Sequence, residues 1–320
     1  MLKVAVIGAG FGCSVHIPAL LRTKKFEIAG IVSRNKINSF NTFSSIDLLL
    51  KKKIIDIFLI ATPPFTHLEI TKKIIALRKP IYFEKPFCVN LKDAKILSSL
   101  INKYKLMHCV GYQFRYEEGL QKLNFLIKNK KIGRISNIKI DWLIKKKAQK
   151  KPWKNFNKYG AGVEYNYLPH CIDYLMWITN FKKFKIKSYK TDSSINSKHN
   201  RELNLVLNLD DYLNVHINIC NKLKKSIGHN IKVSGENGVL DLFWKYPFNG
   251  ESTSLESILN GEKKNEDINK VDNLDTRILA VQDLWENFYE MINGKKVIDI
   301  PNSDNAVKIH KYIQKIREFV

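Results

Sequence analysis

The chain opens with short, wholly apolar runs separated by stretches in which apolar residues return every three to four positions. Residues 2–7 (LKVAVI), 26–32, 55–60, 80–83 and 107–111 are Val/Ile-rich and of strand length. Between them, residues 14–23, 45–52, 66–77 and 91–103 carry the spacing of helices with one buried face. Strands that alternate with helices build right-handed crossovers on a parallel sheet. The first 115 residues or so therefore predict at least half of a doubly wound α/β fold.

From about residue 120 the period changes. Strand candidates at 134–145, 184–191, 202–208, 212–220, 229–234 and 238–243 include alternating patterns such as LNLVLNL and LNVHINI. Little strand–helix alternation remains, which predicts an α/β domain with an open, predominantly antiparallel sheet and helices on one face. An uncovered face of that apolar alternation would otherwise lie in water, so the second domain is expected to make homo-oligomer contacts through its open sheet, as a dimer or tetramer. Residues 249–272, rich in Gly, Asn, Ser and Glu, read as a long surface loop, and helices at 275–293 and 303–318 follow. A length of 320 residues exceeds what one core usually fills, and the domains are set at 1–117 and 118–320.

Composition narrows the classes. Hydrophobic residues make up 44% and charged residues 26%, as in a globular chain, and the longest apolar runs, such as 54–61, fall far short of the roughly 20 residues that span a bilayer. No membrane segment is expected. Residues 1–7 enter a strand pattern at once, without a charged-then-apolar leader, so a cytoplasmic location is expected. Cys13, Cys88, Cys109, Cys171 and Cys220 share no paired spacing, which predicts neither a disulfide framework nor a metal site. The net charge of +24, from 54 Lys+Arg against 30 Asp+Glu, suits a nucleic acid or an anionic small molecule. The lysines are spread along the chain, with only 145–154 locally dense, so no nucleic-acid partner is expected.

The first stretch with specific chemistry is VAVIGAGFGCSVHIPAL, residues 4–20. A strand ends, a glycine turn follows and a helix begins, the context in which a dinucleotide pyrophosphate is held. Gly8 permits the tight turn, Gly10 lets phosphate approach the backbone, and the helix N-terminus offers N–H donors. Gly8, Gly10, Phe11 and Gly12 are the candidate contacts, while the third fingerprint position falls on Cys13 in place of glycine. Alone, the motif fits a plain strand corner as well. At the end of the second strand, where an acid would hold a ribose 2′-hydroxyl, the chain has Ser33 and Arg34. A hydroxyl and a guanidinium suit a 2′-phosphate, so NADP(H) is favoured and NAD(H) is the alternative.

Three further stretches, FLIATPPFTH (58–67), PIYFEKPFCVN (80–90) and VGYQFRY (110–116), stand in an order that resembles the Gfo/Idh/MocA family of oxidoreductases. The resemblance continues through KKIGRISNIKIDW (130–142), GAGVEYNYLPHCIDYLMWI (160–178) and IKVSGENGVLDL (231–242) and so covers nearly the whole chain. It implies an N-terminal Rossmann domain with a parallel sheet, an α/β substrate and oligomerisation domain, and hydride transfer between NAD(P) and a sugar, cyclitol or nucleotide-linked sugar. By resemblance, Thr62, Pro63 and His67 line the cofactor, Glu84 and Lys85 sit by the nicotinamide with a cis Lys85–Pro86 bond, Gln113 and Arg115 border its end, and Trp153 reaches it from the second domain. Arg115 is also a candidate substrate contact.

Elementary chemistry agrees with part of this. Oxidising a secondary alcohol releases a hydride and a proton, and a lysine with a lowered pKa can accept the proton. Lys85 takes that role. Asn166, His170 and Asp173 stand at i, i+4 and i+7 of a predicted helix, on one face. The resemblance implies an acid where this chain has Asn166; an amide orients a hydroxyl but accepts no proton, so the proton-accepting role shifts to Lys85 and His170. Lys85, Asn166 and His170 are the catalytic and substrate-binding candidates. Residues 35–44 are too short for the extra helix that the family usually has there. A non-catalytic, ligand-sensing regulator on the same fold is the alternative reading.

Overall fold

Six parallel strands form the first sheet of the computed structural model, which describes residues 1–145, 156–192, 201–246, 253–268 and 275–319. β1 (Leu2–Ile7), β2 (Phe26–Val32), β3 (Thr42–Phe43), β4 (Ile57–Ile60), β5 (Ile81–Phe83) and β6 (His108–Val110) lie in the order β3-β2-β1-β4-β5-β6. That order is the doubly wound one, with its switch point at β1 and β4. Helices α1 (Ile17–Thr23), α2 (Ile46–Lys52), α3 (His67–Ile74) and α4 (Leu91–Lys103) make the crossovers. Val4–Ile7 and Ile57–Ile60 are buried along their whole length, as two covered faces require. Local signals set the helix starts: Ser45 accepts from Leu48 N–H at the head of α2, and Asn90 from Asp93 N–H at the head of α4. No helix forms between Ser33 and α2. The loop is instead tied by Thr42 Oγ1, which accepts from Ile37 N–H, and ends in the short strand β3, too brief to read from the sequence.

The chain divides into two compact units, Met1–Gln113 with Arg277–Lys311 and Phe114–Thr276 with Tyr312–Val320. The expected single division at 117/118 thus differs from the structure on the C-terminal side. Of the two last helices, α8 (Thr276–Ile292) belongs almost wholly to the first unit and α9 (Ser303–Arg317) begins there. Trp285 and Phe288 of α8 are fully buried, with Trp285 stacked on Tyr82 at 4.6 Å between centroids and edge-on to Phe26 at 5.3 Å. The periodicity of α8 reveals a buried face but not which sheet it covers.

The second unit holds eight strands: β7 (Ile135–Lys145), β8 (Phe184–Thr191), β9 (Glu202–Leu209), β10 (Leu213–Leu223), β11 (Gly228–Gly235), β12 (Gly238–Lys245), β13 (Thr253–Leu259) and β14 (Glu262–Glu266). Their order is β14-β13-β12-β11-β7-β10-β9-β8, antiparallel except for the β7–β10 pair. β13 and β14 occupy part of the stretch expected to be a loop. Asn260 (φ 52°) and Gly261 (φ 88°) join them, the left-handed pair that a two-residue hairpin turn demands, so the Asn-Gly dipeptide was the overlooked signal.

The inward-facing apolar positions Leu203, Leu205, Leu207, Val215, Ile217, Ile219, Ile138 and Ile140 are buried. They share the face with helices α5 (Glu118–Lys128), α6 (Val163–Asn166) and α7 (Leu168–Thr179). The opposite positions Lys139, Asn204, Asn214, His216 and Lys232 are exposed and polar. The alternation of LNLVLNL and LNVHINI is thus satisfied largely inside the unit, while the outer face keeps Val206 and Val239 half-buried and Ile258 exposed among its polar residues.

Candidate functional site

The glycine turn leaves β1 directly over the end of β4. Gly8 has φ +109°, and a Cβ there would stand 2.5 Å from the carbonyl oxygen of Ala61, so no other residue fits. A Cβ on Gly12 would meet Val6 Cγ1 at 2.9 Å. Gly12, not position 13, thus supplies the close helix-to-strand packing, and Cys13 is left half-buried. Residues Gly12–His16 form a wide first turn before α1, and Ser14 N–H bonds back to Gly10 C=O. The Phe11 ring lies edge-on to His16 at 5.5 Å, with the Arg277 guanidinium 5.9 Å from its centroid. At the end of β2, Ser33 Oγ accepts from Asn35 N–H, and Arg34 is exposed.

Thr62, Pro63 and His67 follow β4 and brace one another. Thr62 and Thr66 share a hydroxyl hydrogen bond of 2.7 Å, and Thr66 donates to Pro63 C=O. His67 is fully buried with Nε2 3.0 Å from Thr62 C=O and Nδ1 3.0 Å from Phe87 C=O. Burial pushes its pKa down, and the two carbonyls oppose that shift. His67 thus lies between the loop after β4 and the segment after β5, and its neutral ring, with one N–H, donates to one of the two carbonyls.

At the end of β5 the Lys85–Pro86 bond is cis, as the resemblance implies. Glu84 is buried, with Oε1 2.7 Å from His16 Nε2 and Oε2 accepting from the Lys85 N–H at 3.1 Å. His16 Nδ1 in turn accepts from Trp285 Nε1–H at 3.0 Å. An indole N–H only donates, so the His16 proton is on Nε2 and points at the Glu84 carboxylate. Gly111, at the end of β6, leaves room for this group: a Cβ there would stand 2.8 Å from Glu84 Oε1. Lys85 itself is half-buried. Neither His16 nor Trp285 was among the expected site residues; the signal for His16 was its place one turn past Gly12, between the apolar Val15 and Ile17. Nothing in the sequence pointed to Trp285, nearly 270 positions away.

The glycine turn, Thr62–Pro63 and Glu84–Lys85 all lie at the carboxyl ends of adjacent parallel strands β1, β4 and β5. That is where doubly wound sheets hold a dinucleotide. Gln113, at the edge of this unit, is 4% exposed, and its Oε1 has no hydrogen-bond partner among the described residues. A buried acceptor in want of a donor suits a carboxamide group, so the residues fit a nicotinamide dinucleotide.

In the second unit, Arg115 and Asp173 form a buried pair. Arg115 Nε donates to Asp173 Oδ2 at 2.9 Å and its Nη2 to Oδ1 at 2.5 Å. Burial raises the Asp173 carboxyl, and the guanidinium offsets part of the rise. The fork of Arg115 is thus occupied by Asp173. The helix expected to carry Asn166, His170 and Asp173 on one face is broken at Tyr167 (φ −120°, ψ −45°), with Asn166 ending α6 and His170 in the first turn of α7. Pro169 accounts for the break, since it has no N–H to offer the Tyr165 C=O four residues back and its ring crowds that carbonyl, while Pro is readily placed in the first turn of a new helix. Asn166 Nδ2 donates to Gly162 C=O at 2.9 Å. His170 is 3% exposed, its ring edge-on to Phe114 at 4.7 Å. Trp153 lies outside the described residues.

Two domain descriptions of one oxidoreductase family match the sequence. The NAD-binding Rossmann fold matches residues 2–112 and the C-terminal α/β domain residues 125–309. The chain belongs to the Gfo/Idh/MocA oxidoreductase family. An uncharacterised oxidoreductase of Synechocystis is 30% identical over 191 residues, 55% of this chain and 51% of that protein. Glucose-6-phosphate 3-dehydrogenase of Bacillus subtilis is 25% identical over 235 residues, 70% of this chain and 66% of the enzyme. The matches thus span about half to two thirds of these relatives. Among solved structures, an oxidoreductase from Agrobacterium radiobacter in complex with NAD+, L-tartaric acid and magnesium shares the fold, with a TM-score of 0.81 over 99% of this chain and 95% of that one at 16% identity. Among the described residues, no helix is long and apolar enough to cross a membrane.

Proposed function

We propose that this chain catalyses hydride transfer between a nicotinamide cofactor and the secondary alcohol or ketone of a sugar, cyclitol or nucleotide-linked sugar. The observation that carries the reading is Lys85, half-buried at the end of β5 and fixed through its N–H to Glu84, beside the strand ends that carry the glycine turn. Bound nicotinamide supplies the hydride acceptor or donor. Lys85 then takes or returns the hydroxyl proton at Nζ, and His170 and Asn166 orient the substrate. Gln113 Oε1 would accept from the carboxamide of a bound nicotinamide, and the first N–H groups of the helix after Gly10 would hold its pyrophosphate. Ser33 and the exposed Arg34 favour NADP(H), with NAD(H) the alternative. A sugar phosphate heads the substrate candidates, because the relative from Bacillus subtilis is named for glucose 6-phosphate and the chain carries a net charge of +24.

Thermal unfolding with each cofactor at millimolar concentration, followed by turnover over glucose 6-phosphate, free aldoses, inositols and nucleotide sugars, tests the reading. NADPH raises the midpoint more than NADH does, and Arg34→Asp reverses that order. Lys85→Met abolishes turnover and leaves cofactor affinity within about threefold, because its role is realised in the transition state. Cofactor binding with no turnover over the whole panel favours the ligand-sensing alternative. A cytoplasmic homo-oligomer with neither nucleic-acid nor membrane partner completes the proposal, and light scattering at micromolar concentration checks the assembly.

A further inference from the structure

We infer that Trp285 and His16 are positioning residues for Lys85, acting through Glu84. The inference extends the reading of Lys85 as the proton carrier and rests on it. The chain of donors runs one way: Trp285 Nε1–H to His16 Nδ1 at 3.0 Å, His16 Nε2–H to Glu84 Oε1 at 2.7 Å, and the Lys85 N–H to Glu84 Oε2 at 3.1 Å. Each link leaves the next only one choice. The indole cannot accept, so it fixes which imidazole nitrogen carries the proton; that proton then fixes one carboxylate oxygen, and the other oxygen is left for the backbone of Lys85. His16 and Trp285 are fully buried and Glu84 is 6% exposed, so water does not compete for these bonds. The rings are held as firmly as their polar atoms: His16 lies edge-on to Tyr82 at 4.9 Å, and Tyr82 stacks on Trp285 at 4.6 Å. All of these residues belong to the first unit, although α8 follows the entire second sheet in sequence. The C-terminal return of the chain thus completes the support of a catalytic candidate on β5.

Two substitutions at one position separate positioning from packing. The amide of His16→Gln reaches the place of Nε2 and donates to Glu84 while losing Trp285. The shorter amide of His16→Asn stands near Nδ1, keeps Trp285 and loses Glu84. We expect the Lys85 amide resonance in ¹⁵N–¹H spectra of the full chain to move less in His16→Gln, which keeps the bond to Glu84, than in His16→Asn, which loses it. We expect kcat on the best substrate of the panel to fall about tenfold in His16→Asn, the scale of one lost buried hydrogen bond, and less than about threefold in His16→Gln. The KM for the cofactor changes less than about threefold in both. Histidine ¹⁵N spectra of the unsubstituted chain should show the His16 proton on Nε2, and Trp285→Phe, which keeps the stack on Tyr82, should move the Lys85 amide. A proton on Nδ1, or a Lys85 amide indifferent to both His16→Asn and Trp285→Phe, overturns the inference. Turnover that survives Lys85→Met while the spectra behave as expected overturns the reading of Lys85 instead and leaves the positioning of its backbone standing.

Discussion

Each unit buries a histidine against tryptophan, and the two histidines are used differently. His16 has both ring nitrogens bonded, one to Trp285 and one to a carboxylate. His229 is also fully buried, yet it lies flat between Trp142, 4.1 Å away at 10°, and Trp244, 4.8 Å away at 18°. Those contacts follow from sheet register, since His229 on β11 stands opposite Trp142 on β7 and Trp244 on β12. Its Nε2 meets the Tyr174 hydroxyl at 3.1 Å, and its Nδ1 has no partner among the described residues. Burial pushes its pKa down to about 3. One ring is oriented by hydrogen bonds that leave a single arrangement, and the other is a plate in an aromatic stack. A buried histidine therefore signals a site only when its partners are polar and directional.

The largest expected effect breaks this contrast if it fails. His16→Leu strands the Glu84 carboxylate and the Trp285 N–H in a dry interior, and each buried polar group left without its partner costs about 1–3 kcal/mol, more for a charged one. His229→Phe keeps the stack and leaves only the Tyr174 hydroxyl short of an acceptor, a loss of about 1 kcal/mol. Denaturant unfolding of both variants at pH 7.5 measures the difference. Equal losses would mean that His16 is as much a packing residue as His229.

A second effect sharpens the contrast through pH. His229, lowered from 6.5 to about 3, and His310, lowered from 6.5 to about 4 by burial, hold fewer protons in the folded chain than in the unfolded one below pH 6.5. Their stabilisation is therefore lost as pH falls through that range, by at most about 1.4 kcal/mol per pH unit for each group. Glu117 has the opposite sign. Burial raises it from 4.5 to about 7 at the head of α5, so the folded chain keeps a proton that the unfolded chain has released, and stability is lost as pH rises from 4.5 to 7. Between pH 4.5 and 6.5, His229→Phe should flatten the acid loss of stability and Glu117→Gln should steepen it. Parallel curves for the two variants and the unsubstituted chain would show that these groups do not titrate on unfolding.

How much of this was legible depends on the range of the interaction involved. Apart from the two-residue β3, the order of strands and helices in residues 1–113, the strand-end position of Gly8, Thr62 and Lys85 and the face of α7 that carries His170 follow from local period and local turn chemistry. The β13–β14 hairpin was also local, announced by Asn260-Gly261, but the charged strand β14 (EKKNE), which has no apolar position, concealed it. What local pattern cannot carry is the partner of a side chain. The resemblance that nominated Arg115 as a substrate contact says nothing of its pairing with Asp173, and the one that nominated His67 as a cofactor contact says nothing of the Thr62 and Phe87 carbonyls beside its ring. The service of His16 and Trp285 to Glu84 depends on a helix that returns to the first unit after the second, a long-range choice that amphipathic spacing leaves open.

The smallest predicted effect concerns Asn166, where the family resemblance implies an acid. Its side-chain N–H donates to Gly162 C=O at 2.9 Å, and the same carbonyl accepts the Asn166 backbone N–H at 3.1 Å. An aspartate at this position turns a carboxylate oxygen, which can only accept, toward a carbonyl that can only accept. Asn166→Ala merely deletes the hydrogen bond, so Asn166→Asp should be the less stable of the two, by about 1 kcal/mol at pH 7.5, with the deficit shrinking as the carboxyl protonates on acidification. Unlike His229, Asn166 is then an oriented polar group of the second unit, set by the chain's own backbone to present its carbonyl oxygen as an acceptor. If Asn166→Asp is as stable as the unsubstituted chain, the amide is not held by Gly162, and the position tolerates the family's carboxylate without rearrangement.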